Sequence, residues 1–184
     1  NGEDCSEVIN FFNPQLEKFA GKGKFYHGAY GKRIRSHYGF DQLEKAYHAL
    51  QNVPESRQVV IQIYDTRVDF PIDNGKPRDE DIPCNICSLL KIRQNKLEWS
   101  QIMRSNDILL GMPYNFIQFT GLQEILAGWL DLDLGTYNHY SDSLHLYRRD
   151  ISKVGIAEET VVENSDSLAL CKEETEKLFK EIYR

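Results

Sequence analysis

Two cysteines three residues apart, in the stretch Asp81 to Cys87 that reads DIPCNIC, stand out among the reactive side chains of this 184-residue sequence. A Cys-x-x-Cys pair can grip a metal, cycle between dithiol and disulfide, or hold one nucleophile beside an unrelated neighbour. A zinc knuckle normally needs a second pair, and the other two cysteines, Cys5 and Cys171, are isolated, so no metal site is expected. A redox pair belongs at a helix N-terminus, where the dipole lowers a thiol pKa, and no helical pattern follows Cys84. If CNICSLLKIR is a strand, the odd spacing points the two thiols to opposite faces. Either both are small core residues or one is a nucleophile. Cys84 has the better company. It follows Pro83 at the mouth of a strand, and further on RSNDILLGMPYN brings Arg104, Ser105, Asp107 and Asn115 close together in sequence. An Arg beside a hydroxyl suits phosphate, because the guanidinium fork matches its oxygens. An Asn side chain offers donor and acceptor together, the complement of a pyrimidine edge. The structural alternatives are an ion-paired Arg104 and an Asn115 that merely opens a helix.

The elements that must position these groups are readable from periodicity. Apolar spacing over residues 5–20 is helical but broken at Pro14, and GKGKFYHGAYG reads as a Gly-rich loop. FDQLEKAYHALQNV reads as a short helix ended by Pro54, and RQVVIQIYD as a buried strand. TRVDFPIDNGKPRDED has no period and many charges, as expected of an exposed loop. CNICSLLKIR and KLEWSQIMRS form a hairpin about Gln94-Asn95. From Pro113 to Leu130, Phe116, Phe119, Leu122, Ile125, Leu126, Trp129 and Leu130 repeat at three and four residues, which predicts a central helix. GTYNHYSDSLHLYRRD reads as a last strand and DSLALCKEETEKLFKEIY as a closing amphipathic helix. The order predicts an α+β fold, a sheet packed on one long helix, in a single domain over residues 1–184.

Composition narrows the class. A net charge of -6 lacks the dense basic stripe that nucleic-acid binding requires. No apolar run approaches the roughly 20 residues that span a bilayer. A soluble, cytoplasmic protein with reduced thiols is expected, with neither nucleic acid nor membrane as partner.

Taken together, Pro83-Cys84, RSNDILLGMPYN and SDSLHLY resemble the thymidylate synthase family, whose pattern runs Pro-Cys, Arg-Ser-x-Asp, Leu-Gly, Pro-Phe-Asn and a late His-x-Tyr. GAYGKRIR also resembles the family's tyrosine loop and PESRQVVIQIYD its Ser-Arg-Arg strand, so the likeness runs from about Gly28 to Tyr147. The resemblance implies a mixed sheet packed on the long helix and dimerising through the sheet. It implies that Cys84 adds to C6 of dUMP, so that C5 can take a one-carbon unit carried by 5,10-methylenetetrahydrofolate. Arg104 and Ser105 would hold the 5′-phosphate, joined by Arg57 from the partner subunit of a homodimer. Arg104 would also favour the thiolate of Cys84. Asn115 would read the base, His145 and Tyr147 the ribose 3′-hydroxyl, Asp107 the base and folate side, and Tyr30 would assist proton removal at C5.

The departures are specific. Gln58 stands where the family has its second Arg, Asn85 where it has His, and Ser143 where an aspartate is expected, with Asp142 one place earlier. Leu16 and Phe19 occupy a segment that is Trp-rich in the family. The resemblance implies that the family's first helix and strand, its Arg loop and its catalytic Glu would fall ahead of residue 1, and that a helix unlike the family's stands in place of its Tyr-containing strand and folate-closing tail. A shortened form or a divergent member is expected, and two alternatives to methylation follow. One is 5-hydroxymethylation of the nucleotide, with water capturing the exocyclic methylene. The other is a non-catalytic nucleotide-binding module. Cytidylate-specific relatives carry Asp where this chain has Asn115, so a uracil nucleotide is the expected substrate.

Overall fold

The computed structural model describes residues 6, 10, 11, 14–19, 25–72, 74–76, 78–155 and 166–182. Cys5, the loop at 21–24 and the side chains of Leu16 and Phe19 lie outside what it describes, and the expected first helix is described only in part, with a 3-10 turn at Pro14–Phe19.

Four strands form one sheet in chain order: β1 (Val59–Gln62), β2 (Asn85–Arg93), β3 (Lys96–Asp107) and β4 (Asp133–His145). The first three run antiparallel, and β4 lies parallel to β3. The sheet is therefore mixed. Gln94 and Asn95 turn β2 into β3 with φ of 51° and 61°, the left-handed backbone that two-residue hairpins demand and that Asn tolerates well. A parallel partner needs a crossover, supplied by helix α4 (Met112–Leu130). The other named α-helices among the described residues are α1 (Tyr30–Arg35), α2 (Gln42–Asn52), α3 (Thr66–Asp69) and α5 (Lys172–Ile182), and a 3-10 helix follows β4 at Arg148–Lys153.

The core lies between the sheet and helices α2 and α4. Leu50, Ile61, Ile63, Leu97, Trp99 and Leu126 are fully enclosed there, each stabilising the fold by about 1.5–3 kcal/mol through burial. Two polar residues of α4 also face inward. Gln123 donates from Nε2 to the carbonyls of Leu97 (2.8 Å) and Gly135 (3.2 Å), tying the helix to the register shift between Leu97 and Trp99. Phe116, expected on the core face, is partly exposed and packs on His139 with ring centroids 4.8 Å apart.

The structure corrects three expectations. First, TRVDFPIDNGKPRDED is not all exposed loop: Asp65 caps α3 by accepting from the Arg67 N–H at 3.0 Å, and Asp69 is buried. Second, Tyr30 opens a helix rather than lying in a loop. Third, the parity argument that separates Cys84 from Cys87 fails, because the register shifts between Asn85 and Cys87. The extra residue, Ile86, turns its carbonyl to both Ile63 N–H (2.9 Å) and Tyr64 N–H (3.1 Å). Asn85 and Ser88 consequently share the buried face despite their odd spacing.

The opposite face of the sheet carries no helix among the described residues. It presents Val60 (52% exposed), Leu89 (41%) and Tyr140 (61%) to solvent, and Val60 and Leu89 are cross-strand partners. No described helix is long and apolar enough to cross a membrane.

Candidate active site

Cys84 sits immediately before β2, in a loop clamped from two sides. Its carbonyl accepts from the Arg104 N–H at 2.9 Å. The Arg104 side chain donates from Nε to the Pro83 carbonyl and from Nη2 to the Ile82 carbonyl, both at 3.0 Å, and Nη2 stands 4.0 Å from Cys84 Sγ. On the other side the Gly28 N–H donates to Asp81 Oδ2 at 2.8 Å. A Cβ on Gly28 would lie 2.8 Å from the Asp81 carbonyl, so the close approach requires glycine.

The expected depression of the Cys84 pKa is not what the structure gives. Burial pushes the thiol up, Arg104 pulls it down by less, and Asp81 adds to the rise. Tyr30 lies near Cys84 and Asn85. Burial and the proximity of Cys84 push its pKa up to about 12, so the phenol keeps its proton at neutral pH.

Asn115, on the first turns of α4, is only 7% exposed and belongs to a chain of buried amides. Its Oδ1 accepts from Asn85 Nδ2 at 3.3 Å, and its Nδ2 donates to Asn106 Oδ1 at 3.2 Å. Asn85 Oδ1 in turn accepts from Gln101 Nε2 at 2.8 Å. Gln101 Oε1 receives the Trp99 indole N–H at 3.1 Å and the Ser88 hydroxyl at 2.6 Å, and its Nε2 also reaches the Cys87 carbonyl at 3.2 Å. At the other end Asn106 Nδ2 contacts His139 Nε2 (3.1 Å) and Ser141 Oγ (3.2 Å), and His139 Nδ1 meets the Tyr137 hydroxyl at 2.8 Å. A Cβ on Gly111 would fall 2.9 Å from Asn106 Oδ1, so the turn into α4 has room for glycine alone.

Beyond this cluster, Asp107 Oδ1 caps the turn by accepting from the N–H groups of Leu109 and Leu110 at 2.8 Å, while Oδ2 is buried with no hydrogen-bond partner among the described residues. Asp107 pairs with His145 across β3 and β4, and the His145 carbonyl accepts from the Ile108 N–H at 3.0 Å. Tyr147 stands edge-on to His145 with centroids 5.0 Å apart. Ser105 lies beside Arg104 on β3, paired with Ser143.

Arg57 is the exception. Val59 pairs with Leu90, so Arg57 lies level with Ile92, eight residues of strand from Cys84, or roughly 26 Å. It cannot reach the Cys84 of its own chain.

The sequence matches the thymidylate synthase family over residues 10–182. The chain belongs to the thymidylate synthase family. Among its relatives is the deoxyuridylate hydroxymethyltransferase of Bacillus phage SP01, 33% identical over 150 residues, covering 76% of this chain and 38% of that protein. Another is the putative thymidylate synthase of Methanothermobacter marburgensis, 30% identical over 141 residues, covering 77% of this chain and 59% of that protein. The fold is also that of the thermostable thymidylate synthase A from Bacillus subtilis, with a TM-score of 0.65 and 24% identity over 82% of this chain and 54% of that one. The chain thus spans less than two thirds of the length of each of these relatives.

Several residues in and behind this candidate site are not anticipated by the sequence reading. Gln101, Asn106 and His139 carry the amide chain, and Asp81 holds Gly28. The signal for Gln101 was present in the sequence: it occupies an inward position of the alternation Leu97, Trp99, Gln101, Met103. Behind Tyr30, Arg33 and Asp69 form a doubly bonded buried ion pair at 2.9 and 3.0 Å, joined by His27 at 2.6 Å from Asp69.

Proposed function

We propose that this chain, acting as one thymidylate-synthase-like domain, transfers a one-carbon unit to C5 of dUMP through a covalent bond between Cys84 and C6. The observation that carries the reading is the placement of the Cys84 thiol at a strand mouth, 4.0 Å from Arg104 Nη2 and near Tyr30, with the neighbouring Asn85 hydrogen-bonded to Asn115.

The chain's own residues divide the work as follows. Arg104 and Ser105 hold the phosphate, with Arg104 keeping Nη1 for it while Nε and Nη2 brace the Cys84 loop. The Cys84 thiol gives its proton to solvent, the thiolate Sγ adds to C6, and the π-electron pair of the C5–C6 double bond moves toward O4. The Asn115 amide donates to O4 and so stabilises the charge that develops there. Once the one-carbon unit is on C5, the C5 proton leaves through the polar groups around Tyr30 as the bond from that unit to its donor breaks. The exocyclic methylene would then gain either a hydride that the folate supplies or water, and Sγ leaves C6 as a thiolate that takes a proton from solvent. His145 and Tyr147 hold the sugar. The family implies 5,10-methylenetetrahydrofolate, which supplies the one-carbon unit, and the orphaned Oδ2 of Asp107 is a buried acceptor suited to a ring N–H of such a donor.

A hydroxymethyl product is the second reading, favoured by the likeness to the phage SP01 enzyme. Incubation with dUMP and methylenetetrahydrofolate separates the outcomes. Thymidylate with dihydrofolate supports methylation, 5-hydroxymethyl-dUMP without dihydrofolate supports hydroxymethylation, and no modified nucleotide contradicts both.

The site is proposed to be shared between two subunits paired through the bare sheet face. Support comes from its apolar side chains and from the roughly 26 Å between Arg57 and its own Cys84. Mixing Arg57→Ala with Cys84→Ser chains should then recover about a quarter of wild-type activity from two inactive parents, because random pairing yields one intact site in half of the dimers. An inactive mixture would contradict the shared site.

A further inference from the structure

We propose that the donor-only indole of Trp99 and the acceptor-only carbonyl of Cys87 fix the direction of the buried amide chain and thereby hold Asn115 in the orientation that selects uracil over cytosine. Gln101, Asn85 and Asn106 are positioning residues for base specificity. The inference rests on the reading of Asn115 as the residue that meets the base.

Uracil offers an N3–H donor and an O4 acceptor, whereas cytosine offers the reverse, an N3 acceptor and an N4 amino donor. An asparagine can serve either base by turning its amide over, at little cost if nothing holds it. Here much holds it. Asn115 takes one hydrogen bond at Oδ1 from Asn85 and gives one from Nδ2 to Asn106, leaving one lone pair and one N–H for a base.

Turning Asn115 over would set its Nδ2 against Asn85 Nδ2 and its Oδ1 against Asn106 Oδ1, so both neighbours would have to turn as well. A turned Asn85 would face Gln101 with donor against donor, and Gln101 would have to follow. That is where the reversal stops. A turned Gln101 would point Nε2 at the Trp99 N–H, now 3.1 Å from Oε1, and Oε1 at the Cys87 carbonyl, now 3.2 Å from Nε2. An indole cannot accept and a carbonyl cannot donate, and Gln101 and Trp99 are fully buried, so water cannot repair the mismatch. The far end offers no comparable stop. His139 can exchange tautomers and the Ser141 hydroxyl can rotate, so they follow the chain rather than direct it. Burial lowers the His139 pKa and keeps the ring neutral, which leaves Nε2 free to accept from Asn106.

Two independent readouts test this in the whole chain. The first is equilibrium binding of dUMP and of dCMP to wild type, Trp99→Phe and Gln101→Met. The second is the ¹⁵N NMR signature of His139 in the same three proteins without nucleotide. Wild type is expected to prefer dUMP and to hold His139 as the Nδ1–H tautomer alone. Gln101→Met, which removes both end contacts, should lower the dUMP to dCMP preference by about tenfold or more and show a mixture of His139 tautomers, and Trp99→Phe, which leaves the Cys87 carbonyl in place, should lower it measurably but by less. Using the ratio removes any general loosening of the site, which weakens both nucleotides together, and either variant suffices if the other does not fold. An unchanged ratio in the variants, or a wild-type His139 that already samples both tautomers, overturns the directional lock. Failure of wild type to bind either nucleotide overturns the nucleotide reading of Asn115, and with it the specificity role, whatever His139 shows.

Discussion

The protein buries two polar networks on either side of Cys84, and they differ in what gives them direction. Behind Tyr30 the network is ionic: Arg33, 1% exposed, grips Asp69 with two nitrogens, while His37 and Arg67 both meet Asp65 at 2.8 Å. On the other side, from Trp99 to His139, the chain is of neutral amides. Charges hold by attraction and tolerate modest changes of angle, so the ionic cluster acts as a brace that ties α1, and with it Tyr30, to α3. Amides hold by the identity of donor and acceptor at each atom, so their chain transmits orientation. A brace suits a group that must stay in place, and an oriented chain suits a residue that must distinguish two similar bases.

The sharpest way to break this contrast is to remove one partner of the brace. Arg33→Met leaves the Asp69 carboxylate buried with the His27 ring and the Asp65 N–H as hydrogen-bond partners but without its guanidinium, and is expected to destabilise the fold by about 3–5 kcal/mol in urea unfolding. A loss near that of an ordinary surface substitution would mean that the ionic cluster is solvated rather than structural.

Acid sharpens the contrast next, because the two networks fail in different pH windows. His139 has a folded pKa below its ordinary value through burial, so the unfolded chain binds its proton first and stability falls as pH drops through about 6.5. The Asp65 carboxyl is held well below its ordinary range, chiefly by hydrogen bonds from Arg67 and also from His37. Its contribution is present above about pH 4 and is lost only as pH falls further. His139→Gln should therefore flatten the stability profile as pH falls below about 6.5 while leaving the acid limb below about 4 unchanged. A profile identical to wild type in the upper window would show that His139 is not held neutral by burial.

The parts of the site that share one segment were legible in the sequence. Arg104, Ser105, Asp107 and Asn115 fall within twelve residues, and the period of α4 and the Gln94-Asn95 turn follow from local rules. What the sequence hid depends on partners far apart in the chain. Arg33 and Asp69 are 36 residues apart, and nothing local marks either as buried. The bulge at Ile86 has no composition of its own, yet one added residue cancels every parity argument across it. The direction of the Cys84 pKa shift was misjudged for a related reason: the cation was visible as Arg104, but the burial that outweighs it is a property of the assembled fold.

The central claim is that Cys84 forms a bond to C6 of a uracil nucleotide. Intact-mass measurement after incubation with 5-fluoro-dUMP and methylenetetrahydrofolate tests it most directly, since fluorine at C5 prevents the proton loss that would release the thiol. The account predicts one covalent ternary adduct per chain, mapped to Cys84 and absent in Cys84→Ser. Bound nucleotide without any adduct, or an adduct that survives Cys84→Ser, would contradict it.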